Sequence, residues 1–475
     1  MPGIDDMAFH VPKIYLPIEE LADKRAIAYA KLNKGLGLEA MSLADVHEDA
    51  STMAANAVKS LIEKNELNPT EIGRIYVGSE SAFDGAKPIA SYVLSMLTDH
   101  FEKQYGENAF LNTDVVDMTF ACIAGVDALH NTLDWVAADT TRMGIVVCTD
   151  NAKYELESTG EYTQGAGAVA MLVKDKPRLI EIDNPIGVAT VGVHDFFKPV
   201  RRVSKQTLVD NLAGKGLNGV ASGFSVDNVI ASNEKFVDIH KIFPVFDGQY
   251  SNECYSQRMQ QAYTNFCDKK PSHHLDNWDR VVFHLPYAFH GKRVFSDVFY
   301  EAYKNSPELK AQLLELAPDF EQNPNTKLIA KTPMYQQYVT EKIEKAQRAS
   351  SLIGNLYTGS IFMALMSMLE SEVEDGMELE NKTVGFCSYG SGSKSKVFEG
   401  KVQPEWKSVV EEFNLFLKLS ERQAISFELY EKLHNEQFTE SVLPPENEFY
   451  LKAISTDSYL YGKRTYAYAE RVLVH

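Results

Sequence analysis

The chain has 475 residues, of which 44% are hydrophobic and 24% are charged. These values are ordinary for globular proteins and exclude general disorder, and the length predicts two domains or two fused halves. The 47 basic and 66 acidic residues give a net charge of −19, which opposes general nucleic-acid binding. The sequence shows neither an apolar run long enough for a membrane helix nor the basic-then-apolar pattern of a signal peptide, so we expect a cytoplasmic protein without a membrane partner.

The cysteines give no sign of a disulfide framework or of a zinc site. There are five of them, they are widely spaced, and no C-x-x-C pair occurs. Each cysteine must therefore be judged by its own surroundings. They are Cys122, Cys148, Cys254, Cys267 and Cys387.

The first part of the chain alternates between strand-like runs and helical patterns. Apolar runs of strand length occupy residues 74–79, 115–120, 143–150 and 167–173. Residues 49–65 place an apolar stripe on one face, as in a helix that covers a sheet. This alternation predicts an α/β protein with a largely parallel sheet.

A second set of elements follows later in the chain. Strand-like runs occupy residues 280–286, 383–393 and 396–402, and a helical pattern covers 356–372. We therefore divide the chain into two α/β halves, residues 1–175 and 176–475. Residues 200–241 are the least regular, and the four glycines in 211–225 favour a mobile loop or lid there.

Cys122 lies where an apolar strand run passes into a helical pattern. Ile123, Val126 and Leu129 begin that pattern, so the cysteine is expected at the amino end of a helix. Unpaired N–H groups and the helix dipole favour a thiolate there and can hold an oxyanion. The alternative is a small buried hydrophobe, which is what most free cysteines are. Position alone does not decide between the two.

Other candidate residues also have an ordinary structural interpretation. Glu80 is a carboxylate at a strand exit, where a solvated loop is the alternative. His284 follows three apolar strand residues and could be a core histidine. Asn355 precedes a helix, as an N-cap does. The turn at 388–392 could approach a ligand through its backbone, but it lacks the spacing of a phosphate-binding P-loop.

Taken together, these stretches resemble one family, the 3-hydroxy-3-methylglutaryl-CoA synthases of the thiolase superfamily. The series Glu80, Cys122, His284, Asn355 and a Gly-Ser-Gly turn, in this order, carries the resemblance over nearly the whole chain. The matching segments are VGSESAFDGAKP, DMTFACIAGVDAL, CTDNAKYE, TQGAGAVAMLV, HDFFKP with FPVFDGQYSNECY, FHLPYAFHGKR, and GNLYTGSIF with SYGSGS.

The resemblance implies a fold and a reaction. The fold is the five-layered αβαβα thiolase arrangement of two pseudo-equivalent halves, as a homodimer. The reaction is a Claisen-type condensation of acetyl-CoA with acetoacetyl-CoA and water, which belongs to the mevalonate pathway of isoprenoid biosynthesis. Cys122 looks like the nucleophile, Glu80 like the general acid and base, and His284 like the residue that holds the acetoacetyl thioester. This chemistry requires no metal and no cofactor, because the CoA thioesters are substrates.

The resemblance also implies a set of substrate-binding residues. Some are expected to line the acyl pocket, two are acidic residues at matching positions, and one matches the family's partner to the histidine. In that order, they are Tyr154, Thr163, Ser251 and Ser391, then Asp150 and Asp195, then Asn355. Tyr357 completes the expected substrate-binding set.

Three features depart from the family pattern. Phe289 stands where a lysine is usual, so contacts with the CoA phosphates are expected to shift to Lys292 or Arg293. Ile123 and Ala124 replace an aromatic residue and a glycine, which predicts a reshaped cavity. Residues 200–241 are additional, and we predict a surface insertion that covers the entrance to the site or extends the dimer contact.

Three other functions remain as alternatives. A relative in the same family transfers acetyl groups from an acyl carrier protein to build β-branches in polyketides, and it uses the same residues. A β-ketoacyl-carrier-protein synthase uses Cys, His and Asn but does not need Glu80. The third alternative is a non-catalytic scaffold, in which Cys122 would react slowly with alkylating reagents.

Overall fold

The computed structural model describes residues 1–208, 235–323, 325–457 and 459–470. The predicted glycine-rich loop at 211–225 lies outside these ranges. The described strands are β1 (Pro2–His10), β2 (Ile14–Pro17), β3 (Ala40–Leu43), β4 (Ile72–Gly78), β5 (Asp114–Met118), β6 (Met143–Ala152), β7 (Gly165–Asp175), β8 (Ile180–Ile182), β9 (Gly187–Thr190), β10 (Phe196–Phe197), β11 (Val200–Ser204), β12 (Phe236–His240), β13 (Val245–Phe246), β14 (Arg280–Phe283), β15 (Thr383–Gly390), β16 (Lys394–Val402), β17 (Gln423–Ala424), β18 (Glu448–Ile454) and β19 (Arg464–Ala469).

Helices lie between these strands and after them. The α-helices with described bounds are α1 (Ile18–Lys24), α2 (Tyr29–Leu36), α3 (Ala50–Lys64), α4 (Ile89–Tyr105), α5 (Ala124–Ala137), α6 (Gly248–Lys269), α7 (His290–Tyr303), α8 (Pro307–Leu316), α9 (Pro333–Lys342), α10 (Glu344–Ile353), α11 (Ser360–Glu374), α12 (Trp406–Val410), α13 (Leu415–Ser420) and α14 (Phe427–His434). Among the described residues, no helix combines the length and the apolar character needed to cross a membrane.

The predicted α/β fold is confirmed, but the prediction of a largely parallel sheet is wrong. The main sheet has the order β14-β15-β16-β8-β1-β7-β6-β4-β5, with β9 also paired to β16. Within it β4 is parallel to β5 and β6, and β14 is parallel to β15, whereas the other ladders are antiparallel. Parallel neighbours need a long crossover. The short segments that join β6 to β7 and β15 to β16 contain no α-helix, so each strand returns antiparallel.

The sheet contains the same pattern twice, which confirms the two pseudo-equivalent halves. The first pattern is β1-β7-β6-β4, whose three ladders are antiparallel, antiparallel and parallel. The second is β8-β16-β15-β14, with the same three directions. A short antiparallel contact between β1 and β8 joins the two patterns.

Alternate residues of the strands face different layers. In β6, Ile145 and Val147 belong to the hydrophobic cluster that includes α3 and α4, and Val146 and Cys148 belong to the one that includes α5. Helices α5 and α11 lie between the two sheet halves, and α6 covers the outer face of the second half. This is the five-layered αβαβα arrangement of the thiolase-like fold.

The fold places three chain segments at one edge of the layers. Glu80 follows β4, and Cys122 follows β5, the parallel neighbour of β4. His284 follows β14, which occupies the place in the second pattern that β4 has in the first. Because the carboxyl ends of parallel neighbours meet at one edge, a site built from distant parts of the sequence forms there.

The predicted insertion at 200–241 is described only at its base. There β11 and β12 form an antiparallel ladder from Val200, opposite His240, to Ser204, opposite Phe236. Residues 209–234 lie outside the described ranges, so the predicted roles of the insertion as an entrance cover or a dimer contact stay predictions.

Candidate active site

Cys122 lies in a sharp turn between β5 and α5. Ala121 has a φ of +41°, in the left-handed region, and α5 begins two residues after the cysteine, at Ala124. The cysteine is 9% exposed, and its thiol donates a hydrogen bond to Glu80 Oε1 over 3.2 Å. The structure therefore places Cys122 before the helix, as predicted, with a carboxylate as its direct partner.

The thiolate that the helix end favours is not the resting form of Cys122. Burial, followed by the negative charges of Glu80 and Asp150, raises the pKa of the Cys122 thiol well above its ordinary value, and Lys198 opposes this only in part. The stabilisation of a thiolate by the helix terminus is outweighed, because desolvation and the two nearby carboxylates all disfavour a further negative charge. The resting nucleophile is a thiol, and Glu80 is placed to accept its proton.

Glu80 is held at three of its atoms. Its N–H donates to Asp150 Oδ1 over 2.9 Å. Its Oε2 lies 3.4 Å from Lys198 Nζ, and the same ammonium donates to the Glu80 carbonyl oxygen over 3.2 Å. Only 7% of the Glu80 side chain is exposed. The carboxylate thus lies between a thiol and an ammonium, and sequence reasoning did not identify that lysine.

Asp150 connects the end of β4 to a turn in the second half of the chain. It is fully buried and accepts hydrogen bonds from the backbone N–H of Glu80 and Thr358 and from three hydroxyl groups, those of Ser79, Ser81 and Thr358. Burial and then the Glu80 charge raise the pKa of Asp150 to about 6. These contacts give Asp150 a positioning role, and its predicted contact with substrate stays a prediction.

His284 is a buried and uncharged histidine. It is 2% exposed, and its Nδ1 lies 2.7 Å from the Ser360 hydroxyl at the start of α11. Burial lowers the pKa of His284 to about 3, although a hydrogen bond with the Tyr357 backbone opposes this shift. The imidazole is therefore neutral at physiological pH and can hold a thioester or ketone oxygen only as a hydrogen-bonding group.

Tyr357 connects the two halves of the site. It is 1% exposed, has a φ of +42°, and belongs to one buried cluster with Cys122 and Tyr154. The Asn355 side chain accepts a hydrogen bond from the Tyr357 N–H over 2.8 Å, and the Asn355 N–H donates to the Thr163 carbonyl over 3.0 Å. Of the predicted residues, Tyr154 and Tyr357 therefore lie beside the thiol, and Asn355 and Thr163 are connected to Tyr357 through these hydrogen bonds.

Asp195 organises the turn that carries Ser391. It is fully buried and accepts hydrogen bonds from the Tyr389 hydroxyl and the Gly392 N–H, both over 2.7 Å. The Ser251 hydroxyl in the first turn of α6 donates to it over 3.3 Å. Asp195 and Ser251 therefore brace the turn, and the predicted substrate contacts of Asp195, Ser251 and Ser391 stay predictions.

Lys292 and Arg293 are neighbours in the first turn of α7. Lys292 Nζ lies 3.3 Å from the centre of the Phe289 ring, the residue that departs from the family pattern. Arg293 is exposed and donates to the Gly35 carbonyl in α2 over 2.5 Å. The structure brings these two cations together beside α2, and their contact with the CoA phosphates stays a prediction.

Comparisons with known proteins agree with this geometry. The model of the hydroxymethylglutaryl-coenzyme A synthase N-terminal domain matches residues 2–177, and that of the C-terminal domain matches residues 235–459. A hydroxymethylglutaryl-CoA synthase of Haloferax volcanii is 29% identical, over 98% of this chain and 99% of the relative. One of Enterococcus faecalis is 26% identical, over 95% of this chain and 97% of the relative.

Solved structures of similar proteins cover almost the whole chain. The structure of MvaS in complex with 3-hydroxy-3-methylglutaryl coenzyme A is 26% identical, with a TM-score of 0.78 over 98% of this chain and 99% of that one. The HMG synthase of the curacin biosynthetic pathway has a TM-score of 0.74 at 18% identity, over 98% of this chain and 100% of that one, so this likeness concerns the fold alone.

Proposed function

We propose that this chain, which belongs to the hydroxymethylglutaryl-coenzyme A synthase family, condenses acetyl-CoA with acetoacetyl-CoA and water. The products are 3-hydroxy-3-methylglutaryl-CoA and free CoA. One observation carries the proposal: the Cys122 thiol donates to the Glu80 carboxylate over 3.2 Å inside a buried aromatic cluster. A nucleophile with a base in direct contact is what acyl transfer from a thioester requires.

The first step is transfer of the acetyl group to Cys122. Because the resting sulfur is a thiol, its proton passes to Glu80 as the sulfur attacks the acetyl carbonyl. The S–C bond to CoA then breaks, and the CoA sulfur takes up a proton as it leaves. Glu80 ends this step as a carboxylate beside acetyl-Cys122.

The second step forms the new carbon–carbon bond. Glu80 removes a proton from the methyl group of acetyl-Cys122, and the resulting enolate carbon attacks the ketone of acetoacetyl-CoA. The developing alkoxide then takes a proton, for which the protonated Glu80 is the placed donor. His284, neutral and held by Ser360, contributes hydrogen bonds that keep the acetoacetyl thioester aligned.

The last step is hydrolysis of the bond to Cys122. Water attacks the thioester carbonyl, the sulfur leaves, and its proton is restored, which regenerates the thiol. Every proton transfer in the cycle uses groups of the chain or water, so the proposed reaction needs no metal or redox cofactor. We also propose that the protein acts as a cytoplasmic homodimer that supplies the mevalonate pathway.

The test is product formation from defined substrates. Purified protein with acetyl-CoA and acetoacetyl-CoA should yield 3-hydroxy-3-methylglutaryl-CoA by mass spectrometry, with one free CoA for each product molecule. Cys122→Ser should yield none. A wild-type protein that acetylates Cys122 only from an acetyl carrier protein would instead support the β-branching alternative, and no product from either donor would contradict the proposal.

A further inference from the structure

Lys198 is fixed beside the Glu80–Cys122 pair by its position in the chain. It follows β10, whose two residues pair with β13 as Phe196 opposite Phe246 and Phe197 opposite Val245. Its ammonium lies 4.7 Å from the centre of the Tyr357 ring, and its side chain is 19% exposed. The lysine thus enters a largely closed pocket and does not extend into solvent.

The charges around Glu80 are unbalanced without this lysine. The Glu80 N–H donates to the buried carboxylate of Asp150, so two carboxyl groups share one desolvated region. Among the residues that the structure describes, the other titratable groups that face Glu80 are Cys122, Tyr154 and Tyr357, none of which supplies a positive charge. Among the described contacts of the Glu80 side chain, the cation is Lys198.

We propose that Lys198 is a positioning residue for Glu80: its ammonium supplies the positive charge beside this carboxylate and directs Glu80 Oε1 toward the Cys122 sulfur. This inference rests on the proposed function. The ammonium contacts Glu80 at Oε2 and at the carbonyl oxygen, so it holds both ends of the residue and leaves Oε1 for the thiol. No bond to Lys198 forms or breaks in the reaction.

The condensation explains why such a cation is needed. Glu80 must be a carboxylate when it removes the methyl proton, although another carboxylate lies close by in a desolvated region. Two carboxyl groups without a counter-ion hold a proton between them, which removes the base at neutral pH. The fixed charge of Lys198 favours release of that proton.

The first experiment compares the pH dependence of condensation in three variants. Lys198→Met removes the charge and keeps much of the volume, Lys198→Arg keeps the charge, and Lys304→Met removes an exposed lysine that pairs with Glu301. We expect Lys198→Met to lower kcat at pH 7 on the order of 100-fold. The acidic limb of the pH–kcat profile of Lys198→Met should move to higher pH, so that part of the activity of this variant returns above pH 8. Lys198→Arg should keep the wild-type limb, and Lys304→Met should change neither quantity.

The second experiment needs no substrate and therefore separates this inference from the proposed function. The rate of Cys122 alkylation by iodoacetamide is measured from pH 8 to pH 10. Because the charge of Lys198 lowers the pKa of Cys122, Lys198→Met should shift the alkylation profile to higher pH and Lys198→Arg should not. Two results would overturn the inference even if the wild type makes the product. One is that Lys198→Met leaves the pH profiles of both condensation and alkylation where they are in the wild type. The other is that Lys198→Met lowers kcat equally at every pH and that Lys198→Arg shows the same loss.

Discussion

The Glu80→Gln variant should make Cys122 more reactive toward alkylation while it slows condensation on the order of 1000-fold. The Glu80 carboxylate lies 3.2 Å from the sulfur and, after burial itself, is a main cause of the raised pKa of Cys122. Two unit charges 4 Å apart repel by about 4 kcal/mol at an effective dielectric constant of 20. Lys198 offsets part of this repulsion. Even so, if the repulsion falls by only about 1.4 kcal/mol, the equilibrium constant for forming the thiolate rises about tenfold.

The assay is a pair of rates on the same protein preparations. Iodoacetamide reacts with the thiolate that is already present at equilibrium, whereas acetyl transfer relies on Glu80 to take the proton during the attack. At pH 8 we therefore expect iodoacetamide to label Cys122 in Glu80→Gln at least about tenfold faster than in the wild type. The formation of 3-hydroxy-3-methylglutaryl-CoA should fall on the order of 1000-fold, because the base that removes the methyl proton is gone. Glu301→Gln, an exposed carboxylate on α7, is the matched control and should change neither rate. Slower labelling in Glu80→Gln would mean that the negative charge of Glu80 does not hold Cys122 in the thiol form, which is the opposite of what the raised pKa of Cys122 implies.

Three further predictions concern other residues of the site. His284→Ala should retain Cys122 acetylation by acetyl-CoA but raise KM for acetoacetyl-CoA. The pH profile of wild-type condensation should show no titration of His284 between pH 5 and 8, because burial lowers the pKa of His284 to about 3. Asp150→Asn should lower the free energy of unfolding by about 2–4 kcal/mol, because its NH₂ group faces hydrogen-bond donors. Because the pKa of Asp150 is raised to about 6 in the folded state, Asp150 contributes its full stabilisation below its unfolded-state pKa and loses it as the pH rises through 6. Urea titrations should therefore show that the difference in unfolding free energy between the wild type and Asp150→Asn narrows from pH 4 to pH 6. Gly125→Ala should lower the free energy of unfolding by about 1–3 kcal/mol, because the added Cβ would lie 2.3 Å from Cys148 Sγ and 2.9 Å from the Thr358 carbonyl oxygen. Gly35→Ala is the control for this thermal-unfolding experiment and should not lower the stability, because the nearest atom to its added Cβ is 3.9 Å away.

The sequence was informative where a residue type and a strand end coincide. Glu80, Cys122 and His284 each follow an apolar run, and the structure places them two, four and one residues after the ends of β4, β5 and β14. Cys122 and Glu80 also proved to be in contact, which the order of the motifs implied through the family resemblance. Strand direction was not predictable from the same runs, because an apolar run has the same pattern in a parallel and an antiparallel ladder.

The charge state of the site depends on contacts that a linear pattern does not contain. The helix terminus suggested a thiolate, but the buried carboxylates beside Cys122 come from residues 42 positions before it and 28 after it, at Glu80 and Asp150. Lys198 was missed for a related reason. It precedes a proline in a short polar stretch, which is typical of a surface loop, and only the apolar pair Phe196 and Phe197 before it hinted at a buried position.

In the proposed mechanism the acetyl group passes through Cys122 on its way to the product. The most direct measurement is incubation with acetyl-CoA labelled in the acetyl group, rapid quenching, and mass-spectrometric mapping of the labelled peptide, followed by a chase with unlabelled acetoacetyl-CoA. We expect label on the peptide that contains Cys122, and transfer of that label into 3-hydroxy-3-methylglutaryl-CoA during the chase, as the proposed mechanism requires. Label on another residue, or label on Cys122 that the chase does not remove, would contradict it.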